Sequence, residues 1–166
     1  PVYRMLESLW GQQSPYNLQM PQFSVPGDQG KNVFTKAPTG CVATALAQLM
    51  YYHKWPEQGI GSHVYNTHTH KISLSTDFSS SHYDWKAMSP RYKATDNTSA
   101  GAKAVALLMR DVGYACEMDY TINVSGAFSS NAAKALERNF GYDAVLLRQK
   151  KMGKDYFIQT LREEIS

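Results

Sequence analysis

The chain has little cysteine, no long apolar run and no strong excess of either charge. Two cysteines, Cys41 and Cys116, in 166 residues are too few for the disulfide framework that staples small secreted domains. No apolar stretch reaches membrane-spanning length and no signal-peptide pattern opens the sequence. It begins at Pro1 without Met, which reads as a processed or trimmed product. Net charge is +3, from 17 Lys and Arg against 14 Asp and Glu, too mild and too scattered for a nucleic-acid footprint. The basic cluster Arg148 to Lys154 reads as a solvated face. Neither nucleic acid nor membrane is expected as a partner. There is no internal repeat and no linker, and 43% hydrophobic content over this length fits one domain, residues 1–166, with its own core.

The most informative stretch runs from Pro38 to Pro56. It predicts a helix with a cysteine in its first turn. Pro38 and Gly40 punctuate its start, and Thr39 is the candidate N-cap. Val42, Ala45, Leu46, Leu49, Met50 and His53 follow one stripe of a 3.6-residue period, and Pro56 ends the helix. Cys41 then stands where backbone N–H groups lack partners and the helix dipole is positive, a position that suits a thiolate nucleophile. The competing reading of Cys41 is a small buried residue that starts a core helix. Gly40 before it would let a substrate backbone approach, and Ala43 and Ala45 after it would leave room. Cys116, in a short predicted strand from Tyr114 to Met118, reads as a buried spectator.

Other elements follow in order. Val2 to Trp10 predicts a short helix or an extended arm, and Leu18 to Ala37, rich in Pro, Gly, Asn and Gln, a long loop that passes near the site. His63 to Ser75 alternates like a strand or hairpin, with His68 and His70 on one face. Asp77 to His82 is a polar loop, and Tyr83-Asp84-Trp85 opens a short apolar segment. Ser99 to Val112 and Ser130 to Phe140 predict helices closed by Gly113 and Gly141. A strand from Tyr142 to Arg148 and a helix from Tyr156 to Ile165 complete the set. His63, His68 and His70 are joined by no carboxylate or cysteine at a recognisable ligand spacing, so no metal and no cofactor is expected. The sequons Asn97-Thr98-Ser99 and Asn123-Val124-Ser125 read as chance matches.

The order of these pieces carries a resemblance. It runs through Gln12 with Pro15-Tyr16-Asn17, then Thr39-Gly40-Cys41-Val42-Ala43-Thr44-Ala45 with Gln48, Met50 and Tyr52-His53. Tyr83-Asp84-Trp85, Asp111-Val112-Gly113, Met118-Asp119-Tyr120 and Asn139-Phe140-Gly141-Tyr142 continue it. The chain resembles the streptopain-like cysteine endopeptidase family of the papain superfamily along nearly its whole length. The resemblance implies an α+β, papain-like fold in which this chain carries the helical half with the nucleophile helix. It implies Cys41 as the nucleophile, and the side-chain amide of Gln12 with the Cys41 backbone N–H as the oxyanion hole; Gln13, one place off, is the rival. It also implies a protein or peptide substrate, an inhibitory propeptide before maturation and a bacterial protein that is secreted, cell-surface or periplasmic.

One part of the pattern is missing. A thiol protease needs an imidazole to pair with the thiolate and to protonate the leaving amine. His53 lies 12 residues after Cys41 on the same helix, about 18 Å along the axis, and His63, His68, His70 and His82 match no catalytic position. The catalytic His and most of the sheet are therefore expected from a C-terminal part of the same enzyme. The alternative is a catalytically inactive papain-like module that binds peptides or a partner protein.

Overall fold

The computed structural model describes residues 8–142. The strand expected at 142–148, apart from Tyr142 itself, the helix expected at 156–165, the cluster at 148–154 and the N-terminal residues 1–7 lie outside them. The described elements are β1 (Gln22–Pro26), β2 (Asn32–Lys36), α1 (Cys41–His53), β3 (Ser62–Asn66), β4 (Ser73–Asp77), α2 (Ala100–Ala115), β5 (Asp119–Tyr120), β6 (Ser125–Gly126) and α3 (Ser129–Phe140). The strands form three separate antiparallel pairs, β1–β2, β3–β4 and β5–β6. Three packed helices with small two-stranded sheets make an α+β arrangement.

Helix α1 is the centre of this assembly. Its burial is broader than the apolar stripe predicts: Ala43, Thr44, Ala47, Gln48 and Tyr51 are buried along with Val42, Ala45, Leu46 and Met50, while Leu49 is only half-buried. The alanines that the sequence suggests leave room for a substrate instead admit neighbouring elements, with Ala43 at 0% exposure and Ala45 at 4%. The helix ends at His53, with Lys54 in the left-handed conformation and its N–H on the carbonyls of Met50 and Tyr51.

Helix α2 is capped by Ser99, whose hydroxyl accepts from the Ala102 N–H, and Asp96 in turn accepts from Ser99. Its inner face carries Val105, Leu108, Met109 and Val112. The helix does not stop at Gly113; it runs to Ala115 and Cys116 caps it. Gly113 is an interior residue because a Cβ there would stand 2.0 Å from the Tyr120 hydroxyl. Cys116 is thus a helix cap rather than a strand residue. Helix α3 buries Ala132, Ala133, Leu136 and Phe140, and Gly141 closes it at φ 69°.

Residues 18–37, read from composition as loop, contain the β1–β2 hairpin. Val25 pairs with Val33 and Ser24 with Phe34, and the β-branched and aromatic residues suffice for a ladder despite the Pro and Gly around them. The β3–β4 hairpin matches expectation, with Tyr65 opposite Leu74, but His68 and His70 sit in its turn rather than on a strand face.

Candidate active site

The site forms where two segments meet at the start of α1. The first is the chain from residue 8 to residue 12, which has no regular structure and leads into a bend at Gln12. The second is Thr39-Gly40-Cys41. The Thr39 N–H donates to the Gln12 carbonyl at 3.0 Å. The Gly40 N–H donates to Gln12 Oε1 at 3.1 Å, and Gln12 Nε2 donates to Cys41 Sγ at 3.0 Å. A backbone N–H can only donate, so the Gly40 contact fixes which end of the Gln12 amide is oxygen and turns the NH2 toward the sulfur. Gln13 points elsewhere: its side-chain oxygen lies 3.4 Å from Asn17 Nδ2 and its carbonyl accepts from the Tyr16 and Asn17 N–H groups. Of the two glutamines it is Gln12 that stands beside Cys41.

Gly40, not Thr39, is the N-cap of α1, at φ 90° and ψ 142° with no side-chain cap. Thr39 is fully buried and its hydroxyl meets that of Thr44 at 2.7 Å, while Thr44 donates to the Gly40 carbonyl at 2.9 Å. Sequence favours Thr as a cap, but here its hydroxyl is drawn inward by a second threonine five residues on. That leaves the first N–H groups of α1 without a side-chain cap. The space left by Gly40 is filled by Met118 and the Ser125 carbonyl, not held open: a Cβ there would stand 2.6 Å from Met118 Sδ and 2.9 Å from Ser125 O.

The two cysteines differ sharply. Both are free thiols; Cys41 is part-exposed and Cys116 fully buried. Burial pushes the Cys116 thiol up to about 12, a shift that the nearby Arg138 only partly offsets.

All five histidines are described. His53 ends α1 and lies edge-on to Tyr142, ring centroids 6.1 Å apart. His63 Nε2 lies 3.0 Å from Glu117 Oε2. His70 packs on Phe23 at 4.8 Å, His68 is an exposed turn residue near Asp119, and His82 is exposed where it bridges Gln58. Among the described residues no group of three or more His, Cys, Asp or Glu is arranged to hold a metal, and no helix is long and apolar enough to cross a membrane.

Several residues of the recognised pattern act as framework. The Tyr83 hydroxyl donates to the buried Asp111 at 2.6 Å, and Arg110 bonds the other Asp111 oxygen. Trp85 Nε1 donates to the Pro56 carbonyl, and Asn139 and Tyr142 bond the carbonyls of Ile60 and Trp55. These contacts tie α2 and the end of α3 to the non-helical segments 55–60 and 83–85, away from Cys41.

The chain is similar to known proteins in both sequence and structure. Streptopain of Streptococcus pyogenes is 36% identical over 142 residues, which is 81% of this chain and 35% of streptopain. The thiol protease/hemagglutinin PrtT of Porphyromonas gingivalis is 35% identical over 139 residues, 81% of this chain and 14% of that protein. The chain therefore spans about a third or less of these relatives. Active wild-type interpain A, a cysteine protease of Prevotella intermedia, superposes with a TM-score of 0.68 at 39% identity, covering 82% of this chain and 54% of that one. A prointerpain A fragment gives 0.69 at 34% identity, covering 95% and 51%. The α+β, papain-like expectation holds in this likeness. The sequence pattern of the peptidase C10 family matches residues 10–166, and with that match the chain belongs to the peptidase C10 family.

Proposed function

We propose that this chain supplies the nucleophile and the oxyanion hole of a cysteine endopeptidase that cleaves protein substrates. The observation that carries the reading is the Gln12 amide, held by the Gly40 N–H and directed at Cys41 Sγ. In this reading the Cys41 thiolate attacks the carbonyl carbon of a peptide bond. The resulting oxyanion accepts hydrogen bonds from Gln12 Nε2 and the Cys41 backbone N–H, fixed donors that need no reorganisation during the reaction. The C–N bond then breaks, the amine leaves with a proton from an imidazolium, and water hydrolyses the thioester to the acid and the free thiol. No metal or cofactor enters the scheme.

The imidazole is assigned to a further C-terminal segment of the enzyme, because His53, His63, His68, His70 and His82 all stand in other surroundings. An inhibitory propeptide and a secreted, cell-surface or periplasmic location belong to the same reading; the pro form of interpain A among the similar structures supports the first.

The test uses the full-length enzyme. Wild type should cleave casein and, quenched in acid during turnover of a slow ester substrate, carry an acyl mass on the Cys41 peptide. Cys41→Ala should abolish both and leave the melt unchanged. A folded wild-type enzyme that binds peptides but neither cleaves them nor acylates would establish the inactive binding module instead.

A further inference from the structure

Gln48 is a buried polar residue in the middle of the largely apolar α1, 8% exposed and seven residues after Cys41. Seven residues are about 10.5 Å along the axis, too far for contact with the reacting atoms. Its side-chain oxygen nevertheless accepts two hydrogen bonds from the other half of the site: the Ser8 hydroxyl at 3.1 Å and the Trp10 backbone N–H at 3.2 Å. The same short segment is held from its other side. The Leu9 N–H donates to the Pro90 carbonyl at 2.9 Å and Trp10 Nε1 to the Ser89 carbonyl at 2.8 Å. The Trp10 ring packs on Tyr51, one turn past Gln48, with centroids 4.8 Å apart.

Residues 8–12 therefore run along α1 and are fixed to it at two places. Gln48 holds Ser8 and Trp10 near the middle of the helix, and Thr39 and Gly40 hold Gln12 at its start. Only Gly11 separates Trp10 from Gln12. Two extended residues span about 7 Å at most, so an anchor at Trp10 limits where the Gln12 amide can go. A hydrogen-bond donor to a developing oxyanion must be held within roughly 0.5 Å of its working position. The Thr39 and Gly40 contacts hold Gln12 itself, and Gln48 adds a hydrogen-bonded support from the same helix two residues upstream.

We propose that Gln48 is a positioning residue for the oxyanion hole: one side-chain amide on the nucleophile helix ties the arm carrying Gln12 to the helix carrying Cys41, so that donor and nucleophile keep a fixed separation. This rests on the reading of Gln12 as the oxyanion donor. The Gln48 amide is suited to the task because its oxygen can take both donors at once. A hydrophobic residue of the same length would fill the space and leave the Ser8 hydroxyl and the Trp10 N–H buried without a partner.

The experiment compares Gln48→Met, Gln48→Glu and Ser8→Ala in the full-length enzyme. Four readouts are taken on each: kcat and KM on a peptide substrate, the affinity of a peptide aldehyde, the rate of Cys41 alkylation by iodoacetamide, and the melting curve. The aldehyde forms a hemithioacetal whose oxygen uses the oxyanion hole; alkylation by iodoacetamide forms no such oxyanion. Gln48→Met should lower kcat and weaken the aldehyde in parallel by about 10-fold, the effect of about one lost hydrogen bond. KM and the alkylation rate should stay within about 2-fold. Gln48→Glu, which keeps an acceptor, should hold the loss to about 3-fold or less. Ser8→Ala leaves α1 untouched and should show the same pattern at about 3-fold, which decides the matter if Gln48→Met does not fold. Wild-type kcat and aldehyde affinity in the folded variants would overturn the proposal. So would a fall in alkylation rate matching the fall in kcat, which would mark a disturbed helix. Gln12→Ala run alongside separates the two readings: if it leaves kcat and the aldehyde unchanged, the oxyanion assignment itself has failed.

Discussion

Gly40 and Met118 are packed so closely that a methyl group on Gly40 would stand 2.6 Å from the Met118 sulfur. Gly40 also holds φ at 90°, a conformation that L side chains rarely adopt. The residue before the nucleophile is thus fixed by packing from β5–β6 and by its own backbone. Gly40→Ala is expected to destabilise the protein by about 2 kcal/mol or more and to shift Cys41 away from Gln12. Chemical denaturation checks the first effect, and kcat of the full-length enzyme the second. A variant with wild-type stability would show that Met118 yields freely.

Gln12→Ala in the full-length enzyme is expected to lower kcat on the order of 10²–10³-fold with the fold intact. Gln13→Ala should do much less, since Gln13 faces Asn17. Steady-state kinetics on both variants, with circular dichroism as a control for folding, distinguishes them. An equal or larger effect at Gln13 would reverse the assignment.

Cys41 is part-exposed at a helix start, whereas Cys116 is fully buried with its thiol pushed up to about 12. Brief iodoacetamide treatment at neutral pH should therefore label Cys41 alone, with Cys116 labelled only after unfolding. Peptide mapping by mass spectrometry reads this directly, and faster labelling at Cys116 would contradict the burial.

Tyr65, Tyr83 and Tyr120 should resist ionisation in the folded protein. Burial raises all three above 10.0, aided at Tyr83 by the Asp111 carboxylate and at Tyr65 chiefly by its tyrosine neighbour Tyr114. In the unfolded chain they ionise near pH 10. The stability linked to their neutral forms is thus fully present below about pH 10 and falls as pH rises beyond it. Titration at 295 nm should show some tyrosines ionising only when the protein unfolds, against complete ionisation near pH 10 in urea. Simple titration of all tyrosines in the folded protein would contradict it.

If the imidazole comes from a further C-terminal segment, as proposed, residues 1–166 expressed alone should hydrolyse no protein substrate. Supplying the C-terminal part of the enzyme as a second chain should restore casein cleavage that Cys41→Ala abolishes. Unaided cleavage by 1–166 would require one of the five histidines as the base.

The sequence by itself determined the local elements whose signals are local. The apolar period from Val42 to Met50 gave α1, Ser99 and Gly141 marked helix ends, and alternation from His63 to Ser75 gave a hairpin. Cys41 stood out because a helix start is a chemical environment that neighbouring residues create. Wherever a distant partner decides, only the tertiary structure could answer. Gly113 looks like a helix stop until Tyr120 is seen against it, and Thr39 looks like a cap until Thr44 takes its hydroxyl. The hairpin at 22–36 hid behind turn-forming residues, because pairing across the strands outweighs single-residue preference. Residue type alone does not separate Gln12 from Gln13; the resemblance pointed to Gln12, and the Gly40 N–H, 28 residues away, is what holds its amide beside Cys41. Gln48 carried one legible sign, an amide inside a largely apolar helix, but its partners Ser8 and Trp10 lie 40 and 38 residues off. A hydrogen bond between such residues is a property of the folded chain, since its geometry exists only after both segments have been brought to the same helix.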